Sequence, residues 1–471
     1  MDLVLQKSPR QVTLVSDAWT NLRGESIINY VAVTRKHAIF VKSTPSGGER
    51  HNAQYIADGV EQIVKELGED NIVCFTADNA RNMKAAQALL GQRFPKVLML
   101  GCASHIVNLI VEDIFKLPPF GNIFKLAVEL SKYFKSSYVL VGLLSNAAES
   151  LGRARPALQL PGNTRWQGKL NTVASVLKNR DFLEHLALHP DGALPEHPTN
   201  EQRNRFSHIC SIILSIRFWE QLSSLERLLR PFLEVTLALE SVRPKASRIF
   251  AYFKYLIQKV YTHTTSHYED VLDIIGKRFK QIHHPIMTVA YICDPQAREE
   301  RKVAITDTMD LEMQEYLQHY YSDARRAAGV YKELQEVWHR RGAYSGPLNW
   351  SSFKDYTDAG DWWSIQSCSQ DLKDLATYAL SINPTSGAAE RNWSVHGFLH
   401  SKSRNKLANR RVEQLVYVYT NLRIRDSILS STPDFFNTTE VEEDEADETV
   451  DDDVQTAEPK EEDGDISQII G

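Results

Sequence analysis

The β-forming residues of this chain crowd the stretch before residue 116, and that asymmetry limits its fold more than any other feature. Gln11 to Trp19 (QVTLVSDAW), Ile27 to Thr34 (IINYVAVT) and His37 to Ser43 (HAIFVKS) are rich in β-branched and aromatic side chains and are joined by short polar links. Links that short turn a strand back on its neighbour, so the three segments are expected to form an antiparallel meander. The period then changes. Between Asn52 and Leu67 the apolar residues Ile56, Val60, Ile63, Val64 and Leu67 fall three or four apart, the spacing of one helix face. Asn71 to Ala77 returns to a continuous apolar run, Asn79 to Leu90 reads as a helix, Val97 to Leu100 as a strand and Ala103 to Phe115 as a helix.

The order β-β-β-α-β-α-β-α requires a mixed sheet with helices on its faces, because parallel pairs need crossovers and a meander does not. A meander followed by strand–helix alternation is the topology of RNase H-like domains. From about Gly121 the β signal is gone. Segments such as Phe206 to Leu239 and Ser247 to Val260 have helical periodicity, with a Pro/Gly-rich break near Pro156 to Gly162. After Ser351 come helices over Asp371 to Ile382, Ala388 to Leu399 and Asn409 to Arg425, the second preceded by the start signal Pro384-Thr385-Ser386. The expected architecture is α/β: residues 1–120 begin an RNase H-like mixed sheet flanked by helices, 121–350 form a large α-helical insertion domain, and 351–428 complete the first domain. The remaining residues, 429–471, are acidic and poor in apolar side chains, which predicts a disordered tail.

Charge supports that division. The chain carries a net −6, yet Thr432 to Gly471 alone hold sixteen acidic residues against one lysine. The body is therefore mildly basic, compatible with phosphate contact. An apolar fraction of 42% suffices for a real core in a chain of 471 residues, a length that suggests two or three folded units. No uncharged apolar run of membrane-spanning length occurs, and Met1 to Arg10 lack the apolar core of a signal peptide, so the expected setting is cytosolic or nuclear with no membrane partner. The five cysteines, Cys74, Cys102, Cys210, Cys293 and Cys368, are scattered and form no CxxC pair, which argues against both a disulfide framework and a cysteine-rich zinc finger.

Two aspartates end expected strands: Asp17 the first and Asp78 the fourth. A carboxylate at a strand end points into a crevice beside the sheet, and two on neighbouring strands offer hard oxygen ligands to magnesium. Taken singly, Asp17 reads as a turn residue and Asp78 as a helix N-cap. Glu390 opens a helix after Thr385-Ser386-Gly387-Ala388-Ala389; the small residues would let that helix lie close to a sheet, and the glutamate also suits the positive end of the helix dipole. Cys102 and His105 have the spacing of half a zinc site, without a second pair.

Several segments, in order, resemble the hAT superfamily of DNA transposases. Ser16-Asp17-Ala18-Trp19-Thr20 and Thr76-Ala77-Asp78-Asn79-Ala80-Arg81-Asn82-Met83 resemble its first two acidic motifs, Cys102-Ala103-Ser104-His105 its CxxH motif, and Arg165-Trp166 its Arg-Trp pair. Asp361-Trp362-Trp363, Leu375-Ala376, Ser386 to Ser394, Arg404-Asn405-Lys406-Leu407 and Asn421-Leu422 resemble its C-terminal dimerisation block. The chain departs from the pattern at Trp393, where Phe is common, and no BED-type zinc finger precedes the first strand, as expected of a truncated product or of one that acts without that module.

The resemblance implies a DDE-type transposase or a protein derived from one, nuclear, self-associating and DNA-binding. Asp17, Asp78 and Glu390 would hold two Mg²⁺ (or Mn²⁺) ions about 3.5–4 Å apart, for in-line attack on a phosphodiester by water or a 3′-hydroxyl. His105 would sit near the scissile phosphate, Arg165 would contact phosphate, and Trp166 would stack on an unpaired base. Read from local pattern alone, Trp166 opens the core face of the helix Gln167 to Leu177, and Trp362 and Trp363 belong to the core. The alternative is a domesticated protein that keeps the fold and dimerises without cleaving DNA.

Overall fold

The computed structural model describes residues 11–20, 24–45, 52–162, 166–189, 192–194, 196–241, 246–263, 267–300, 303–356, 358–399 and 407–430. Arg165, Arg404 to Lys406 and the acidic tail lie outside the described residues. Five strands form one mixed sheet: β1 (Val12–Thr20), β2 (Ser26–Val33), β3 (Ala38–Pro45), β4 (Ile72–Ala77) and β5 (Leu98–Gly101), in the order β3-β2-β1-β4-β5. The β1–β2 and β2–β3 pairs are antiparallel, and β1–β4 and β4–β5 are parallel. This is the RNase H-like arrangement expected of a meander followed by crossovers.

Helix α1 (Ala53–Leu67) crosses from β3 to β4, and α2 (Arg81–Arg93) from β4 to β5. Helix α1 starts where the Asn52 side chain accepts the Tyr55 amide and stops at Gly68, whose φ of +83° suits a residue without a Cβ. Ile56, Val60, Ile63, Val64 and Leu67 are all buried, as is Ala57 between them.

Side chains alternate across the sheet. Val12 and Leu14 of β1 pack with α1 and α2. Val15 faces the other way, into a cluster with Val31, Val33, Phe40 and residues of two C-terminal helices, Gly387–Leu399 and Asn409–Ser430. The second of these also covers the free edge of β3. The Asn421 side chain accepts the Phe40 amide at 3.1 Å and donates to its carbonyl at 2.9 Å, and the Glu413 carboxylate accepts the Ser43 amide. Backbone groups left open at an edge strand are thereby satisfied from a helix.

The described chain divides into two compact units, and the division differs from the one expected. Among the described residues, the sheet unit holds 11–106, 238–254 and 279–430; the other holds 107–237 and 255–278. Residues 279–350 thus leave the single insertion that the sequence suggested. Their helices Pro285–Ile292, Asp307–Tyr321 and Ala324–His339 bury Val289, Met313, Val330 and Leu334 in one cluster with Val73, Cys74 and Leu100 of the sheet. Trp362 and Trp363 lie in the same cluster, fully buried, with their indole N–H groups donating to the Asn349 and Cys293 carbonyls. A helical period reports which face is apolar and says nothing about which element will cover it.

The second unit is all helical. Its core includes Phe134, Leu144, Val173, Leu183 and Ile209. The helix Asn200–Ile213 opens with a reciprocal capping box between Thr199 and Gln202.

Candidate active site

Strand parity and register locate the two aspartates. Val15 and Thr76 are opposite each other in the parallel β1–β4 pair, so Asp17 and Asp78, each two residues further on, come abreast at the same end of the sheet. Asp17 shares its face with Val15, and Asp78 shares its face with Cys74 and Thr76. Asp78 is not the N-cap of α2. That position is Ala80, and the Asp78 carboxylate accepts the Ala80 amide at 3.0 Å.

An extended, buried segment, residues 382–386, brings the third carboxylate to that face. The Thr13 hydroxyl donates to the Ser381 carbonyl at 3.3 Å and accepts the Asn383 amide at 3.1 Å. The Thr76 hydroxyl donates to the Asn383 carbonyl at 2.7 Å, and the Ala103 amide to the Pro384 carbonyl at 2.8 Å. Ser386 then docks on Cys102: its amide and its Oγ each lie 3.2 Å from Cys102 Sγ. The helix Gly387–Leu399 starts there with Glu390 in its first turn, and Ser386 Oγ reaches Glu390 Oε1 at 3.3 Å. The small residues ahead of Glu390 allow close approach. A Cβ on Gly387 would fall 2.9 Å from Glu240 Cα, Ala389 is fully buried, and the Asn29 side chain donates through Nδ2 to the Ala389 carbonyl at 3.0 Å.

Asp17 lies near enough to Glu390 and Asp78 to feel the charge of both. Burial, the Glu390 carboxylate and, to a smaller degree, Asp78 push the Asp17 carboxyl up to about 7. Opposing them, Trp393 donates its indole N–H to Asp17 Oδ2 at 2.6 Å. Burial and Glu390 also push the Cys102 thiol up, which keeps it protonated. Among the described residues, no group of three His, Cys, Asp or Glu side chains is arranged to hold a metal ion. The donor set itself fits a hard divalent cation, because it concentrates carboxylate charge whose repulsion a cation would relieve.

His105 lies half-buried in the first turn of α3 (Ala103–Lys116), directly after Cys102. Trp166 belongs to the other unit. It is 2% exposed and forms the N-cap of the helix Gln167–Lys178, so in this structure its indole is part of a core. Trp393, where the chain departs from the family pattern, stands beside Asp17 although no motif marks it for the site. The available signal is spacing: Trp19 stands two residues beyond Asp17 on its strand, and Trp393 three beyond Glu390 on its helix, so each pair shares a face. The two rings stack, with centroids 5.3 Å apart.

Three family descriptions match the chain in succession. Residues 6–130 match a domain of unknown function, DUF659; residues 100–212 match the ZBED1 RNase-like helical domain; residues 344–422 match the hAT family C-terminal dimerisation region. No curated protein matches the chain.

Proposed function

Because the chain is a hAT transposase-like protein, we propose that it cleaves DNA phosphodiester bonds and transfers the strands, as a self-associated, divalent-metal-dependent recombinase of the nucleus. What supports this reading is the Asp17 carboxyl, which burial, the Glu390 charge and, to a smaller degree, Asp78 raise, so that two further carboxylates act on it. Mg²⁺ or Mn²⁺ would be held by these three carboxylates, and would supply activation of a water or 3′-hydroxyl together with stabilisation of the leaving oxygen. The protein's own contribution is placement. Residues 382–386 fix the start of the Glu390 helix, and the Ser386 hydroxyl orients the Glu390 carboxylate. His105 would face the phosphate from α3, and Arg165 would bind phosphate.

Self-association has a surface to use. The Asn409–Ser430 helix buries Val412 and Val416 while Leu415, Val418 and Leu422 stay exposed, and Phe398 on the neighbouring helix is 65% exposed. Among the described residues, no helix is long and apolar enough to cross a membrane.

The test is nicking of supercoiled DNA with Mg²⁺ or Mn²⁺ by the protein and by Asp17→Asn, Asp78→Asn and Glu390→Gln. Loss of metal-dependent nicking in all three, with unchanged melting cooperativity, is the expected result; full nicking by Glu390→Gln would remove that residue from the role. The second reading, a transposase-derived DNA-binding factor without cleavage, is favoured by one observation, the absence of a metal-ready cluster among the described residues. Under it the protein binds DNA and self-associates, and neither ion supports nicking.

A further inference from the structure

We propose that Trp393 is a positioning residue of the carboxylate site, whose indole N–H aims the Asp17 carboxyl for a divalent cation. The inference rests on the reading of Asp17 as a metal ligand and adds a residue which that reading does not require.

The geometry is specific. Asp17 and Trp19 project from one face of β1, and Glu390 and Trp393 from one face of the helix lying over it. The strand and the helix therefore meet through two pairs, one of carboxylates and one of indoles. The carboxylates repel. The indoles attract: their rings stack at 5.3 Å with an interplanar angle of 26°, and that contact fixes the Trp393 ring so that Nε1 lies 2.6 Å from Asp17 Oδ2. Trp393 also packs at 5.0 Å against the buried ring of His396, which limits its rotation from the other side. A hydrogen bond from an N–H to a carboxyl oxygen is directional, so it fixes the orientation of the Asp17 side chain. A carboxylate oxygen has two lone pairs, so one bond from the indole leaves the group able to bind a cation, as hydrogen-bonded carboxylate ligands do at metal sites generally.

The test is binding of Mn²⁺ alone, by titration calorimetry, to the full chain, to Trp393→Phe and to Asp17→Asn, together with the indole N–H resonance of Trp393 in ¹⁵N-tryptophan-labelled protein. Trp393→Phe keeps an aromatic ring against Trp19 and removes the donor. The expected result is Mn²⁺ affinity weakened by about 10–100-fold in Trp393→Phe, with the melting transition retained. In Mg²⁺-saturated wild type, the Trp393 N–H stays protected from solvent exchange. Equal or tighter Mn²⁺ binding by Trp393→Phe, or an N–H released to solvent when Mg²⁺ binds, overturns the proposal. So does a wild type that binds neither ion. The two readings fail separately. Binding lost in Asp17→Asn but unchanged in Trp393→Phe removes the role of Trp393 alone. Weakened binding in Trp393→Phe, in a wild type that never nicks DNA, removes the recombinase reading alone.

Discussion

At the scale of single residues, the candidate site is a concentration of like charge held in place by neutral neighbours. Asp17 has the most at stake. Its carboxyl titrates near 7 in the folded protein against 3.8 for the ordinary group, so the folded state binds the proton more tightly than the unfolded state. Stability from this group is therefore complete below pH 4 and is lost as pH rises through 7, a difference of about 4 kcal/mol at full ionisation. The metal-free protein should accordingly melt at a higher temperature at pH 5 than at pH 8. Asp17→Asn should flatten that dependence and raise the melting temperature at pH 8 by several degrees. Thermal scans of both proteins with a chelator present check this, and an unchanged pH slope in Asp17→Asn would assign the slope to another group.

Elements decide whether the carboxylates meet at all. Asp17 lies in β1 and Asp78 directly after β4, in a register that puts them abreast, but Glu390 depends on the buried segment 382–386. The Thr76 hydroxyl is a useful probe of that segment, because Thr76→Val conserves shape and leaves the Asn383 carbonyl without this donor. The expected cost is about 1–3 kcal/mol, seen as a lower denaturant midpoint with an unchanged slope. Nicking should fall as well, since the start of the Glu390 helix hangs on the same bond. A variant with the native midpoint would show that the segment is held by its other contacts. Much of this level was legible in the sequence. The strands, α1 and α2 were evident from their periods, and the small residues before Glu390 announced a close approach. The partner of that approach was not evident: Gly387 meets the backbone of Glu240, far off in the chain.

For the whole molecule, the question is how many copies act together. The Asn409–Ser430 helix uses one face to cover β3 and leaves Leu415, Val418 and Leu422 exposed on another. Apolar side chains exposed in a row mark an interaction surface, and residues 344–422 match a dimerisation region. The double variant Leu415→Asp, Val418→Asp should turn a self-associated protein into a monomer at micromolar concentration by light scattering, with its helical content intact. A wild type that is already monomeric would place any partner surface elsewhere.

By itself the sequence determined the order of strands and helices and the apolar faces that are buried, because each of these is written in residues a few positions apart, whereas the choice of Asp17, Asp78 and Glu390 rested on the family resemblance. Tertiary structure alone decided that residues 279–350 belong with the sheet, that Trp166 enters a core, and that the Trp393 indole closes on Asp17 across 376 positions of chain. Local periodicity states that a face must be covered. The choice of cover is a competition among all the apolar faces of the chain, settled by packing and by the pairing of buried polar groups, and neither is encoded in any single segment.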